Sequence, residues 1–258
     1  MIRLFEAAGW GRAMTVPNVR AQTSANATRK SCYSNDMPFQ PPRITLYSGP
    51  LSMFGAKVQI AALEKGLDFD LMMVEYDSQR GYDPKHPEVV RINPKRQVPV
   101  LVHGDLELFD STQIFEYLED LQPVPTLWPR DIRERARARR LEHQSDEVYF
   151  PHVIRLMSLQ DNISDPSAVT NIEAAQAYYV QMDKILTKSM WLAGDYSFAD
   201  IAFYMAALFG ERQGAPMTTV TPKLMEWRDR MTRRPAVRQV VSAMATWLKT
   251  ANRPVPEF

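Results

Sequence analysis

The spacing of apolar residues changes at a proline-rich stretch, residues 122–125, and this change limits the possible folds more than any other feature of the chain. Before the stretch, strand-like runs alternate with helical spacing, whereas after it apolar residues recur only at helical intervals. The stretch itself is typical of a linker. We therefore predict a small α/β unit over residues 43–122 and an all-helical unit over residues 130–258.

The elements of both units follow from the same patterns. In the α/β unit we expect strands at 44–47, 69–74, 99–102 and 106–109 and helices ending at Gly66, at 84–92 and at 114–121. His103-Gly104-Asp105, between the last two strands, is a hairpin signal. In the helical unit we expect helices at 131–157, 172–192, 198–209, 224–231 and 237–248. The third of these begins with a capping box, Ser197 to Asp200.

Composition excludes several classes of function. The 31 basic residues nearly balance the 30 acidic ones, so the net charge of +1 provides no field for a nucleic acid partner. The longest apolar run, Ile201 to Phe209, is about half the length that a membrane-spanning helix needs. The single cysteine, Cys32, excludes an internal disulfide and fits a reducing compartment. We expect a cytoplasmic protein with no membrane or nucleic acid partner.

Residues 1–42 differ from the rest of the chain. They carry five basic and two acidic residues, with no sustained periodicity and no secretory apolar region. Such a composition fits either an organelle transit peptide or a leader that is included because the start codon is set too early, with Met37 as the true start. We favour the second interpretation and expect this extension to lie outside the folded protein.

The best-known catalytic motifs are missing from the sequence. The four histidines show no HExxH spacing, and one cysteine cannot build a zinc ribbon. There is no GxSxG elbow and no GxxxxGK[ST] phosphate loop. We therefore predict no metal site, no catalytic triad of the hydrolase type and no nucleotide site.

The dipeptide Val98-Pro99 stands between a polar loop and a strand that follows at once. A proline has no N–H to donate to a sheet, and a cis peptide bond would explain its position here. A cis proline turns the preceding backbone outward, which leaves the Val98 N–H and C=O free to pair with an extended peptide. The alternative is a trans proline with only a structural role.

Asp110-Ser111 comes twelve residues after Val98, where the hairpin ends and a helix begins. Ser111 is well placed as the N-cap of that helix. The free N–H groups of the first turn and the helix dipole also make this point an anion site, and the Asp110 carboxylate beside it can pair with an ammonium group. An α-amino-acid terminus on an extended peptide would satisfy all of these groups.

Together these features resemble the glutathione transferase family, and the match covers nearly all of residues 43–258. The stretch Asn93 to Leu101 is similar to the family's NPxxxVPxL loop, and Gln97 makes it most similar to the zeta class. The resemblance implies a thioredoxin-like domain before a helical domain, and a homodimer. It also implies that glutathione binds at Gln97, Val98, Pro99, Asp110 and Ser111, with the γ-glutamyl end at the last two.

The resemblance also indicates which hydroxyl activates the thiol. Ser52 lies six positions before Val58, as in the family's S-P-F-x-x-[RK]-V pattern, and Tyr47 is the second choice as donor. A plain N-cap role for Ser52 is compatible with this one. Met53 replaces the proline or second serine of many relatives, and the Ser-Ser-Cys signature of the zeta-class isomerases is missing.

The function implied is attack of the glutathione thiolate on an electrophilic, hydrophobic small molecule held by the helical domain. Tyr149, Phe150, His152 and Arg155 are the residues predicted to line the acceptor pocket. The enzyme alternative is a glutathione-dependent isomerase of the maleylacetoacetate type, or a dehalogenase. The non-enzyme alternative is a glutathione-binding or scaffold protein with the same fold.

Overall fold

The structure is a computed structural model that describes residues 42–256 except 78, 84, 160, 161 and 163. The predicted extension therefore lies, apart from Pro42, outside the described residues, and so do Met37 and Cys32. Within the described ranges, no helix is both long enough and apolar enough to cross a membrane.

Four strands form one sheet in the order β2-β1-β3-β4. They are β1 (Ile44–Ser48), β2 (Phe69–Met73), β3 (Val100–His103) and β4 (Leu106–Phe109). β2 runs parallel to β1, whereas β3 pairs antiparallel with both β1 and β4. A parallel pair needs a crossover, which helix α1 provides, and the antiparallel pair is the predicted hairpin.

The helices of the described chain are α1 (Met53–Glu64), α2 (Pro87–Ile92), α3 (Ser111–Leu121), α4 (Ile132–Gln144), α5 (Phe150–Leu159), α6 (Pro166–Leu186), α7 (Phe198–Arg212), α8 (Pro222–Thr232) and α9 (Pro235–Thr250). A π-helical turn, Ser145–Tyr149, separates α4 from α5. A thioredoxin-like sheet with α1 to α3 thus precedes an all-helical part, which confirms the predicted fold class.

Two predicted helices differ from those observed. The helix predicted over 131–157 is helical without a break from Ile132 to Leu159, but its middle, Ser145–Tyr149, is a wider π-helical turn. The helix predicted over 172–192 begins earlier, at Pro166, and ends at Leu186. Asp165 explains the early start, since its carboxylate accepts from Ser167 N at 2.7 Å and a proline at the first helical position needs no donor partner.

Helix α7 forms the centre of the helical core and is buried from Phe198 to Gly210. The predicted capping box is present, with Asp200 as its acidic member. The Asp200 carboxylate is itself fully buried and accepts from Ser197 N at 3.0 Å, Leu192 N at 3.0 Å and Trp227 Nε1 at 2.9 Å. One side chain therefore fixes the start of α7, the preceding loop and helix α8.

Helix α1 packs on both halves of the fold. Val58 and Ala62 belong to the cluster that covers the sheet, whereas Ala56 and Ile60 belong to the core of the helical part. At its end, Glu64 accepts two hydrogen bonds of 2.7 Å from the guanidinium of Arg234, at the start of α9. The position of α1 therefore depends on the sheet and on the helical part together.

We predict that Asp200→Ala lowers the free energy of unfolding by about 3 kcal/mol, because it leaves several buried donors without an acceptor. The control is Asp131→Ala, which removes the exposed N-cap of α4 that accepts from Arg133 N and Glu134 N. We expect the control to lose about 1 kcal/mol. Urea denaturation measures both, and equal losses would contradict the central role of Asp200.

Candidate glutathione site

The connection from β1 to α1 presents Ser52 at the N-terminus of a helix. Ser52 is the N-cap of α1 and is 8% exposed, and its Oγ accepts from Gly55 N at 3.0 Å. That bond uses the oxygen, so the hydroxyl hydrogen is still available to donate. Gly55 lets the helix approach β1 closely, because a Cβ there would overlap the Ser48 hydroxyl. Ser52 thus combines a hydroxyl donor with the positive end of a helix.

Tyr47 lies on the face of the sheet opposite to α1. Side chains alternate along a strand, so Leu46 and Ser48 face α1 while Tyr47 faces α2. There the Tyr47 ring packs beside Val89 and lies 5.2 Å, between ring centroids, from His86. The structure therefore brings Ser52, rather than Tyr47, to the end of the β1–α1 connection.

The loop before β3 carries the predicted backbone feature. The Val98-Pro99 peptide bond is cis, as predicted. The strand ladder begins only at Val100, so the Val98 backbone lies ahead of it. Asn93 holds the loop from inside: its Nδ2 donates to Gln97 O at 2.6 Å, and its Oδ1 accepts from Lys95 N at 2.9 Å.

The start of α3 corrects one prediction. The N-cap is Asp110 and not Ser111: the Asp110 Oδ1 accepts from Thr112 N at 3.1 Å and from Gln113 N at 3.3 Å. Asp110 adopts a φ of 73°, an uncommon value for a residue with a side chain, and this turn carries its carboxylate under the helix. Ser111 becomes the first residue of the helix and is buried.

Two clefts meet at this loop. We call the first, of about 310 Å³, the apolar cleft; it contains Ser52, with side chains of α5 and α7 on its far wall. We call the second, of about 300 Å³, the polar cleft; it contains Asp110 and Ser111, with side chains of α4 and the π-helical turn opposite. Phe54, Gln97 and Val98 line both clefts. Ser52, Val98 and Asp110 therefore lie along one continuous surface. A larger cavity of about 610 Å³, between β2 and α9, contains none of the predicted site residues.

The acceptor-pocket prediction needs correction. Of the four residues, only Phe150 lines the apolar cleft, where Ile154 and Met157 from α5 and Phe209 from α7 join it. Tyr149 is fully buried and its hydroxyl bonds that of Tyr179, at 2.6 Å. The side chains of His152 and Arg155 bond residues of α6 instead, namely Asn171 and Ser167. Helical spacing identified an apolar face of α5 but not the face that meets the cleft, because α6 covers the opposite one.

Sequence reasoning missed two cations, Lys85 and Arg96, and the His86 imidazole near Gln97. Lys85, His86 and Arg96 line the apolar cleft, with Glu75 as the acidic residue of its lining. His86 is held in place as the N-cap of α2, because its Nδ1 accepts from Glu88 N at 3.3 Å. The sequence signal was the basic pair Lys85-His86 directly before a proline that starts a helix.

A buried charge cluster lies under the polar cleft. Lys57 of α1 is 0% exposed; its Nζ donates to Glu142 Oε1 at 2.8 Å and also to Asp146 Oδ2. Thr112 adds a bond from α3, since its hydroxyl donates to the same Glu142 oxygen at 2.6 Å. We call Lys57, Glu142 and Asp146 the Lys57 cluster.

Burial and charge oppose each other in the Lys57 cluster. Burial disfavours the ammonium of Lys57, but Asp146 and Glu142 more than offset it and raise the Lys57 pKa. Burial raises the pKa of Asp146 to about 6, although Lys57 lowers it. Because two carboxylates pair with one ammonium group, the Lys57 cluster gives its side of the polar cleft an excess of negative charge.

Comparison with known proteins decides the family. Residues 46–126 match the family model for the N-terminal domain of glutathione S-transferases, and residues 147–235 match the model for the C-terminal domain. Glutathione S-transferase Z1 of Arabidopsis thaliana is 31% identical over 175 residues, which cover 65% of this chain and 74% of that protein. The chain belongs to the glutathione S-transferase family.

Two further proteins are similar to this chain over most of its length. The stringent starvation protein A homolog of Coxiella burnetii is 29% identical over 61% of this chain and 71% of that protein. The crystal structure of a glutathione S-transferase from Methylobacillus flagellatus KT, with GSH bound, superposes with a TM-score of 0.67 at 25% identity, over 76% of this chain and 98% of that one. Among the residues that the structure describes, no group of His, Cys, Asp and Glu is arranged to hold a metal ion.

We predict that Asp146→Asn flattens the pH dependence of stability between pH 4 and 7. The folded protein holds the Asp146 proton up to a pKa of about 6, whereas the unfolded chain releases it near the ordinary value of 3.8. This group therefore stabilises the fold at low pH, and its contribution is lost as the pH rises towards 6 and above. Urea denaturation at several pH values measures the slope. The control Glu173→Gln, an exposed acid-to-amide change on α6, should keep the wild-type slope.

Proposed function

We propose that this protein is a glutathione transferase that joins the glutathione thiolate to an electrophilic small molecule. The single observation that carries the proposal is the continuous surface on which Ser52, the Val98 backbone and Asp110-Ser111 lie, shared between the polar and apolar clefts. The family membership supports glutathione as co-substrate, and the family's usual assembly supports a homodimer.

In the proposed complex, glutathione lies across both clefts. Its γ-glutamyl ammonium pairs with Asp110, in a cleft whose other wall carries the acidic residues Glu142 and Asp146. Its α-carboxylate takes the N-terminal end of α3 at Ser111. The cysteinyl backbone pairs with Val98 in the manner of a strand. The glycyl carboxylate then falls at Gln97, where Lys85 and Arg96 supply positive charge.

This placement brings the thiol to Ser52. A free thiol has a pKa of about 8.5, so the enzyme must stabilise the anion at neutral pH. The Ser52 hydroxyl can donate to the sulfur, and the first N–H groups of α1 add the positive end of the helix dipole. The thiolate then attacks an electrophile in the apolar cleft, and proximity supplies part of the rate.

The acceptor is a small, hydrophobic electrophile. Phe150, Ile154, Met157 and Phe209 form an apolar wall facing the thiol position. The cleft volume of about 310 Å³ lies at the small end of ligand pockets, which favours a compact acceptor. Calorimetric titration with glutathione, beside a conjugation assay with a chloronitrobenzene, tests the proposal. Absence of glutathione binding would overturn it.

We expect Ser52→Ala to lower turnover about 100-fold while the glutathione dissociation constant changes much less, because the lost hydroxyl acts on the anion rather than on the bound thiol. Tyr47→Phe is the control, since Tyr47 does not line the apolar cleft. Steady-state kinetics and calorimetry measure both variants. Unchanged turnover in Ser52→Ala would transfer the role to backbone N–H groups.

We expect Asp110→Asn to weaken glutathione binding about tenfold, because asparagine still caps α3 but cannot pair an ionised carboxylate with the ammonium group. The melting temperature should change little. Asp131→Asn makes the same substitution at the exposed cap of α4 and should leave binding unchanged. Equal affinities for the two variants would show that Asp110 serves only as a cap.

A further inference from the structure

Tyr82 contacts the connection between β1 and α1. It comes from the loop between β2 and α2, and its hydroxyl oxygen accepts from Leu51 N at 3.1 Å. The hydroxyl end of its ring contacts Gly49, where a Cβ would overlap both the ring and the hydroxyl. Tyr82 also lines the apolar cleft together with Ser52. One side chain from a distant loop therefore contacts both ends of the segment that leads into Ser52.

The Tyr82 ring is supported from the C-terminal helix. It packs edge-to-face on Tyr76 at 4.8 Å between ring centroids, and Tyr76 packs edge-to-face on Trp247 of α9 at 5.3 Å. Burial raises the pKa of the Tyr82 hydroxyl, so the phenol stays neutral at physiological pH.

The segment that Tyr82 contacts is held at its far end by hydrogen bonds of Ser52, whose Oγ accepts from Gly55 N and whose backbone O accepts from Ala56 N. Ser52 N donates to Gly49 O at 3.1 Å, which closes a single turn, and α1 begins directly after it. The Leu51 N–H belongs to the Pro50–Leu51 peptide, one peptide unit before that of Ser52. The bond from this N–H to Tyr82 therefore helps to hold the backbone that leads into Ser52 and carries its hydroxyl to the cleft.

We propose that Tyr82 is a positioning residue for the thiol site: through Leu51 N and Gly49 it holds the segment that aims Ser52 and the N-terminus of α1 at the glutathione sulfur. This inference rests on the proposed function. Tyr82 acts through Ser52 and need not touch the sulfur. Its loss should therefore alter ionisation of the bound thiol more than binding of the tripeptide.

The test is Tyr82→Phe, which keeps the ring and removes the hydroxyl. Thiolate absorbance of bound glutathione against pH gives the thiol pKa, and we expect it to rise by about one unit, which is a tenfold lower ratio of thiolate to thiol at a given pH. The glutathione dissociation constant should stay within about twofold. The control Tyr76→Phe changes the next ring of the same stack and should leave the thiol pKa as in the wild type.

A second variant tests the same contact from the other side. Gly49→Ala keeps the Tyr82 hydroxyl but pushes the ring away, so it should raise the thiol pKa like Tyr82→Phe. In a Tyr82→Ala background the methyl group that Gly49→Ala adds meets no ring, so it should not change the thiol pKa further.

The outcomes separate the two proposals. A bound-thiol pKa in Tyr82→Phe equal to that of the wild type, with or without a lower melting temperature, would overturn the role of Tyr82 while leaving the proposed function intact. A wild-type protein that binds no glutathione would instead overturn the proposed function, and the inference with it.

Discussion

The burial of Lys57 is the constraint on which the rest of the structure depends. An ammonium group with no exposure to solvent needs partners, because an unpaired buried charge costs several kcal/mol. Its partners come from the other half of the fold: Glu142 at the end of α4 and Asp146 in the π-helical turn. Thr112 extends the same network to α3. The helix whose N-terminus carries Ser52 is thus tied to the walls of the polar cleft by charge as well as by packing.

The pleat of β1 and the cap of α1 then decide where the hydroxyls of Tyr47, Ser48 and Ser52 point. Ser48 points towards α1, where Gln59 Nε2 donates to its hydroxyl at 2.7 Å, and is fully buried. Tyr47 points to α2 and does not line the apolar cleft, whereas Ser52 does. The cations Lys85 and Arg96 lie on one side of Val98, and the carboxylates of the polar cleft lie on the other. The two ends of the site therefore differ in charge, which suits a ligand whose two ends also differ in charge.

Sequence reasoning succeeded where the signal was local. The hairpin, the capping box before α7 and the cis Val98-Pro99 bond each depend on a few adjacent residues, and the structure confirms them. It failed where the outcome depends on a distant neighbour. It also failed at one local junction, between β4 and α3, because the positive φ that makes Asp110 the cap in place of Ser111 is uncommon for a residue with a side chain. The positions of Tyr149, His152 and Arg155 depend on packing against α6 and α7.

The sequence by itself determined the order of strands and helices, because periodicity and turn chemistry act over a few residues. It also determined the Val98-Pro99 and Asp110-Ser111 motifs. Only the tertiary structure decided which face of α5 meets the cleft, that Lys85 and Arg96 join Gln97, and that Tyr82 lies over the segment before Ser52. These contacts join residues that are far apart in the chain. Their energies depend on burial and on the direction of each side chain, and a local sequence pattern predicts neither.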